Sequence, residues 1–390
     1  MKYYLKNIKI IKNSFPLIIM IFILVGIISN ISAASLGAHK GILYCVNTLI
    51  PSLFIFMIFT SFIVNSGITQ NLSKILNPIT KFLFYLPGCT APIIILSLIG
   101  GYPVGARGAK SLYESKEINI EQLNRLMTFS VNAGPAFIIE IVGNILLKNY
   151  KLGYLIFIVQ IILSLSIGMI SGMFARKKKL NFYFSKNKYK NSKLNISDSL
   201  IKSCSDTSKS IIIMSALIVV FYTLIEILNG SLLTKKVLNN FFTSNDSLNS
   251  FRAIFISILE MTSGCNEVIF KSAPTSIIFF AVGFGGICAH LQIKSIFGKD
   301  DFRFIKFTAY RLLNGILTAL FVPMLMNMFP YYSPTFLNTA HPPQVSLSCT
   351  NLGSVLLVAL ALYFVICINY DSKKIFSPKN HEHLYKFHKN

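Results

Sequence analysis

Residues Leu152 to Ala175 read LGYLIFIVQIILSLSIGMISGMFA, an apolar run with no charged side chain, and Arg176-Lys-Lys-Lys179 ends it. Wound as a helix, the run is about 36 Å long, enough to cross a hydrocarbon core of about 30 Å. A backbone at that depth has no water to bond, so the helix, which satisfies its own N–H and C=O groups, is the available conformation. Further long apolar runs occur at Ser14 to Ser32 and Leu352 to Ile368, near the two ends of the 390 residues. Hydrophobic residues make up 53% of the chain and charged ones 13%, whereas soluble domains carry about 25% charged residues. The expected fold is an all-α polytopic membrane protein with the lipid bilayer as its solvent.

The formal charge of +23 invites a nucleic-acid reading. The bases, however, gather in short segments beside apolar runs, the pattern of positive-inside topology, so no nucleic-acid partner is expected. Met1 to Asn13 carries four lysines before its apolar run, but no small-residue cleavage site follows, so the run reads as a retained first helix. The seven cysteines form no CxxC pair and lie in or beside apolar segments. They read as small buried residues, and no metal site or cofactor is expected. GxxxxGK[ST], HExxH and GxSxG are all missing from the sequence, which points to solute movement without ATP rather than to an enzyme.

With the N-terminus in the cytoplasm, the chain crosses outward at Ser14 to Ser32 and inward at Gly41 to Asn65. It then lies amphipathically along the interface from Asn71 to Leu86. Ala91 to Ile99 is too short to cross and stops at Gly100-Gly101-Tyr-Pro-Val-Gly105, so it is read as one arm of a re-entrant hairpin. Crossings follow at Thr128 to Leu147 and Leu152 to Ala175, then at Ile211 to Leu228, with an outer loop to Ser250. A second hairpin is expected at Ala253 to Phe270, and crossings at Ile277 to Ile293, Phe307 to Met328 and Leu352 to Ile368 return both termini to the cytoplasm. This path leaves only seven of the 37 Lys and Arg outside, so 30 fall on the cytoplasmic side. The organisation is therefore 1–40, an N-terminal transmembrane helix; 41–175, a first repeat; 176–209, a basic cytoplasmic linker; 210–328, a second repeat; and 329–390, a final helix with a basic tail.

The two repeats align. Ile99-Gly-Gly101-Tyr-Pro-Val-Gly105 matches Ile258-Leu-Glu260-Met-Thr-Ser-Gly264. About thirty residues on, Phe129-Ser-Val-Asn132-Ala-Gly134-Pro135 matches Phe280-Ala-Val-Gly283-Phe-Gly285-Gly286. Each repeat holds a short hairpin followed by a broken helix, and the topology makes the repeats inverted, a pattern that points to a transport site near the midplane. Freed helix N-termini there suit an anion. Small-residue clusters also serve plain helix packing, the bland alternative for any one of these glycines.

The substrate-binding candidates are Arg107, Gly101, Gly105, Asn132, Gly134, Pro135, Thr262, Ser263, Gly264, Gly285, Gly286 and Gln292. Arg107, placed at the first tip, offers a planar fork for a carboxylate, or else snorkels to lipid headgroups. Glu140, Glu260 and His290 are the coupling-ion or proton candidates. Either glutamate could instead pair with Arg107 or Arg311.

At these residues the chain resembles the YlbJ family of sporulation integral membrane proteins, within the nucleoside-recognition or Gate-domain group. The resemblance rests on Leu49-Ile-Pro51-Ser-Leu-Phe54, Gly101-Tyr-Pro-Val-Gly105-Ala-Arg107, Asn132-Ala-Gly134-Pro135, Glu260-Met-Thr-Ser-Gly264 and Gly283-Phe-Gly285-Gly286-Ile-Cys-Ala-His290-Leu-Gln292. It implies a place in the outer forespore membrane of a sporulating cell and association with the passage of dipicolinate, a small dianion. The residues alone do not select that solute. A nucleoside-type or other small-solute transporter, and a non-transporting scaffold for other spore membrane proteins, are the alternatives. A homo-oligomer is compatible with each.

Overall fold

Among the described residues the apolar runs are helical, and several of the helices stop where glycine, proline or a buried carboxylate interrupts them. A computed structural model describes residues 24–66, 68–178, 195–231, 242, 244–298 and 302–328. All of these fall in one compact unit, Met1–Phe336. The expected final helix and tail lie outside the described residues, as do most of the Ser14 to Ser32 run and the bases from Lys179 to Lys193.

The first half runs through α1 (Ile31–Tyr44), a π-helical turn (Cys45–Leu49), α2 (Ile50–Asn65) and α3 (Ile68–Phe84). Next come α4 (Thr90–Gly100), α5 (Tyr102–Glu114), α6 (Ile120–Met127), a π-helix (Ala136–Leu146) and α7 (Tyr150–Lys177). The second half holds α8 (Ile196–Gly230), α9 (Asn245–Leu259), α10 (Met261–Phe270), α11 (Ser276–Phe284), α12 (Gly286–Phe297) and α13 (Phe304–Met328). Among the described residues four helices are long and apolar enough to cross a membrane: α7, α8, α11 with α12, and α13. The bent pair Ile31–Leu49 and Leu53–Phe59 would make a fifth. The protein is all-α and polytopic, with no strand among the described residues.

Local chemistry sets the ends of these elements. Asn119 and Gln122 cap α6 reciprocally, with backbone-to-side-chain bonds of 2.8 and 3.0 Å. Asn149 caps α7 through the Leu152 N–H at 3.1 Å. The amphipathic α3 matches the interfacial stretch expected near Asn71 to Leu86. Arg125 holds its last carbonyls at Phe84 and at Tyr85 (3.2 Å). Arg176 takes those of Phe82 (2.5 Å) and Lys81 (3.3 Å). Cations on orphan carbonyls also complement the negative end of the helix dipole.

Two expectations change. The crossing helix expected over Thr128 to Leu147 is shorter, because Thr128–Gly134 leaves the helical path and helix resumes only at Ala136. Pro135 has no N–H to continue the ladder and disfavours helical geometry at Gly134, so the break falls there rather than mid-span. The stretch read as linker to residue 209 is helical from Ile196, because α8 runs unbroken for 35 residues. Ser199, Ser203 and Thr207 are fully buried along one of its faces, a small-residue stripe that hydropathy alone does not register.

The order of elements recurs. A two-helix hairpin (α4–α5, α9–α10) leads to a short helix (α6, α11), a break, a second short helix (the π-helix, α12) and a long helix (α7, α13).

Candidate functional site

Both hairpin tips and both breaks line one cavity of ≈ 70 Å³. Its wall includes Gly101 and Tyr102 from the first tip, Gly134 from the first break, Glu260 and Thr262 from the second tip, and Gly285 from the second break. Each tip touches the break that follows it in sequence. At Gly101, whose φ is +79°, a methyl group would lie 3.2 Å from the Gly134 nitrogen. At Gly286, a methyl would lie 3.0 Å from the Met261 nitrogen. Glycine permits both approaches because it has no Cβ and tolerates positive φ.

A second, larger cavity of ≈ 450 Å³ carries Arg107, Lys110, Lys202 and Asp206 on its walls. The two cavities share Pro103, Met214 and Gln292. The larger lies within the range of small-molecule sites, about 300 to 1,000 Å³, and the smaller has room for only a few waters. The larger cavity, a vestibule, and the smaller one, an inner chamber, therefore adjoin at Pro103, Met214 and Gln292.

Beneath the chamber lies a buried polar network that binds the two repeats together. Arg311 of α13 is fully buried. Its guanidinium donates to Asn132 Oδ1 (2.8 Å), the Tyr102 hydroxyl (3.1 Å) and the carbonyls of Gly283 and Phe284 (3.5 Å for Phe284). Tyr102 and Gln160 donate to the Val282 carbonyl at 3.2 and 3.1 Å. His290 Nε2 donates to Phe284 O at 3.0 Å, and its ring meets Phe284 and Phe307 edge-on. Ser164 donates to Asn132 Oδ1 at 2.7 Å. The carbonyls that the break at Gly285 releases are therefore satisfied by side chains of this chain. Among the described residues Arg311 has only neutral partners, and the C-terminal dipole of α11 offsets its charge.

Glu260 is the N-cap of α10 and is 5% exposed. Its carboxylate accepts from the Thr262 N–H (3.0 Å) and the Ser263 N–H (2.6 Å), so it fills the anion position at that helix start. The Tyr44 hydroxyl lies 3.1 Å from Thr262 Oγ1. Glu260→Ala is expected to cost about 1 kcal/mol of stability, with Gln recovering part of it, as read by thermal unfolding in detergent micelles.

The remaining candidates divide. Gln292 lines both cavities, and Arg107 lines only the vestibule. Arg107 sits six residues into α5 rather than at the tip, which is Gly101. Gly105 packs onto the Ser130 carbonyl and Gly264 onto Ser257, both as close helix contacts. Pro135 caps the π-helix. Ser263 Oγ is buried without a partner. Glu140 is exposed, 3.4 Å from Asn144, and is not on either cavity wall. Sequence reasoning named Arg311 only as a partner for an acid, although the cost of a charge within an apolar run already marked it. It assigned no role to Tyr102.

Gly285→Leu is expected to reduce folded protein sharply. The position has φ +92°, and an added Cβ would overlap the Tyr102 hydroxyl. Size-exclusion profiles of the membrane-extracted variant check this.

No family model and no solved structure matches the chain. It is similar to a protein of Bacillus subtilis (strain 168) described as sporulation integral membrane protein YlbJ, with 23% identity over 331 residues, 78% of this chain and 80% of that one.

Proposed function

We propose that this chain, as a member of the YlbJ family, moves a small organic anion across a membrane during sporulation, with dipicolinate as the solute. The observation that carries the reading is the convergence of two hairpin tips and two helix breaks on one chamber that lies next to a vestibule bearing Arg107. Broken helices around a shared cavity are the usual construction of a transporter's binding site. Recurrence of the same element order in both halves supports an inverted repeat, with the first hairpin entering from the cytoplasm and the second from outside.

In this reading the solute enters the vestibule, meets Arg107, and passes Gln292 into the chamber when the tips separate. The chain acts by transport rather than catalysis. It sits in the outer forespore membrane with both termini in the cytoplasm, and dipicolinate comes from the family resemblance. The test compares spores of a deletion strain with those of a strain complemented by this chain. Restored dipicolinate content supports the reading. Wild-type content in the deletion strain, or complementation by an Arg107→Ala chain inserted in normal amounts, overturns it.

A further inference from the structure

The vestibule has a second wall that the transport reading does not use. Arg107 lies on the α5 wall with its Nε buried and without a hydrogen-bond partner. Thr207 and Lys202 on α8 line the same cavity, and the Thr207 hydroxyl is likewise buried and unpartnered. Asp206 sits between them in sequence and lines the cavity too. Two buried donors without protein partners thus belong to residues of different helices that line one cavity large enough for a small molecule, and an acceptor-rich ligand reached by side-chain rotation would satisfy both.

The charges define that ligand further. Arg107, Lys110 and Lys202 stand against Glu114 and Asp206, three bases to two acids, for a net of +1. Lys110 pairs with Glu114 at 3.5 Å, which leaves Arg107 and Lys202 facing Asp206 alone.

We infer that α8 forms the second half of an organic-anion site, in which a small dicarboxylate bridges Arg107 on α5 to Lys202 and Thr207 on α8 while Asp206 weakens its hold. The inference rests on the transport reading and deepens it by naming the opposing wall and the residues that hold the solute's second carboxylate. A forked guanidinium suits one carboxylate, and an ammonium with a hydroxyl suits the other. A fixed negative charge beside the bound anion raises its dissociation rate, because a transport site must hold its solute weakly enough to release it. Asp206 is in this sense a release residue.

Two measurements on the full chain in lipid vesicles test the inference. The first is flux of pyridine-2,6-dicarboxylate. Lys202→Met is expected to raise KM about tenfold, the loss of one charge-assisted contact. Thr207→Val raises KM without lowering the amount of folded protein. Asp206→Asn lowers KM and kcat together, a split that a purely structural role would not produce. Unchanged KM in all three variants, with normal wild-type flux, overturns the inference and leaves the transport reading standing.

The second measurement needs no flux. Ser111 lines the vestibule one helical turn beyond Arg107, so Ser111→Cys, in a chain with Cys204, Cys349 and Cys367 changed to Ser, reports the local potential. An anionic methanethiosulfonate is expected to react faster than a cationic one of equal size. Lys202→Met should bring the ratio towards parity, and Asp206→Asn should widen it. A ratio moved by neither substitution overturns the inference. If the wild type carries no dicarboxylate at all, the transport reading falls, and the labelling ratio still decides whether the two walls form an anion site.

Discussion

Arg311→Ala is expected to leave almost no folded protein in the membrane. The side chain is fully buried, and its removal leaves the Gly283 carbonyl without its partner and takes one charge-assisted bond each from Asn132 Oδ1 and the Tyr102 hydroxyl, which keep Ser164 and the Val282 carbonyl. The orphaned carbonyl costs about 1 to 3 kcal/mol and each lost bond to the charged guanidinium about 1.5 to 3, so the loss is about 3 kcal/mol or more. Native stabilities are only about 5 to 15 kcal/mol, and the substitution therefore removes a large share. The loss also unties the repeats, since Tyr102 and Asn132 belong to the first and Gly283 to the second. Arg311→Lys keeps the charge and reaches fewer acceptors, so it should retain an intermediate amount. The amount of monodisperse protein extracted from membranes measures both. Wild-type amounts of the alanine variant would show that the network does not hold the breaks.

Arg107→Ala is expected to abolish nearly all solute movement while leaving insertion intact. Arg107 borders the vestibule and its Nε has no protein partner, so the folded state loses little when the side chain is truncated. A bound carboxylate would lose a bidentate, charge-assisted contact. Arg107→Lys separates two explanations. A charge needed only for orientation is replaced fully by Lys, whereas a fork needed for a carboxylate is not. Weak transport by the lysine variant and almost none by the alanine variant, at equal membrane amounts, is the expected outcome. Flux should be measured alongside the orientation of each variant.

Much of this architecture is legible in the sequence. Apolar runs longer than 20 residues left no choice but helices in lipid, and the too-short run before Gly101 marked a hairpin. The glycines at 101, 134 and 285 announced the breaks, because glycine readily accepts the positive φ found at the first and last of them. The cavity wall that α8 forms around Thr207 was not legible. Lys202 and Asp206 looked like part of a solvated basic linker, and only the continuity of α8 places them opposite Arg107. The role of Arg311 was hidden for a different reason. Sequence reasoning seeks an acid for a buried base, and here the partners are carbonyls freed by a break 26 residues earlier at Gly285, a pairing that no spacing rule encodes. Glu260 illustrates the same point, because a carboxylate at a hairpin tip reads as a coupling group until its two bonds to the backbone of α10 are seen.

The most direct test of solute passage is dicarboxylate entry into sealed vesicles that contain the purified chain. Labelled pyridine-2,6-dicarboxylate should accumulate faster than in protein-free vesicles, saturate with concentration, and fall to the protein-free rate with Arg107→Ala. Entry at the protein-free rate with correctly folded wild-type chain would contradict the account.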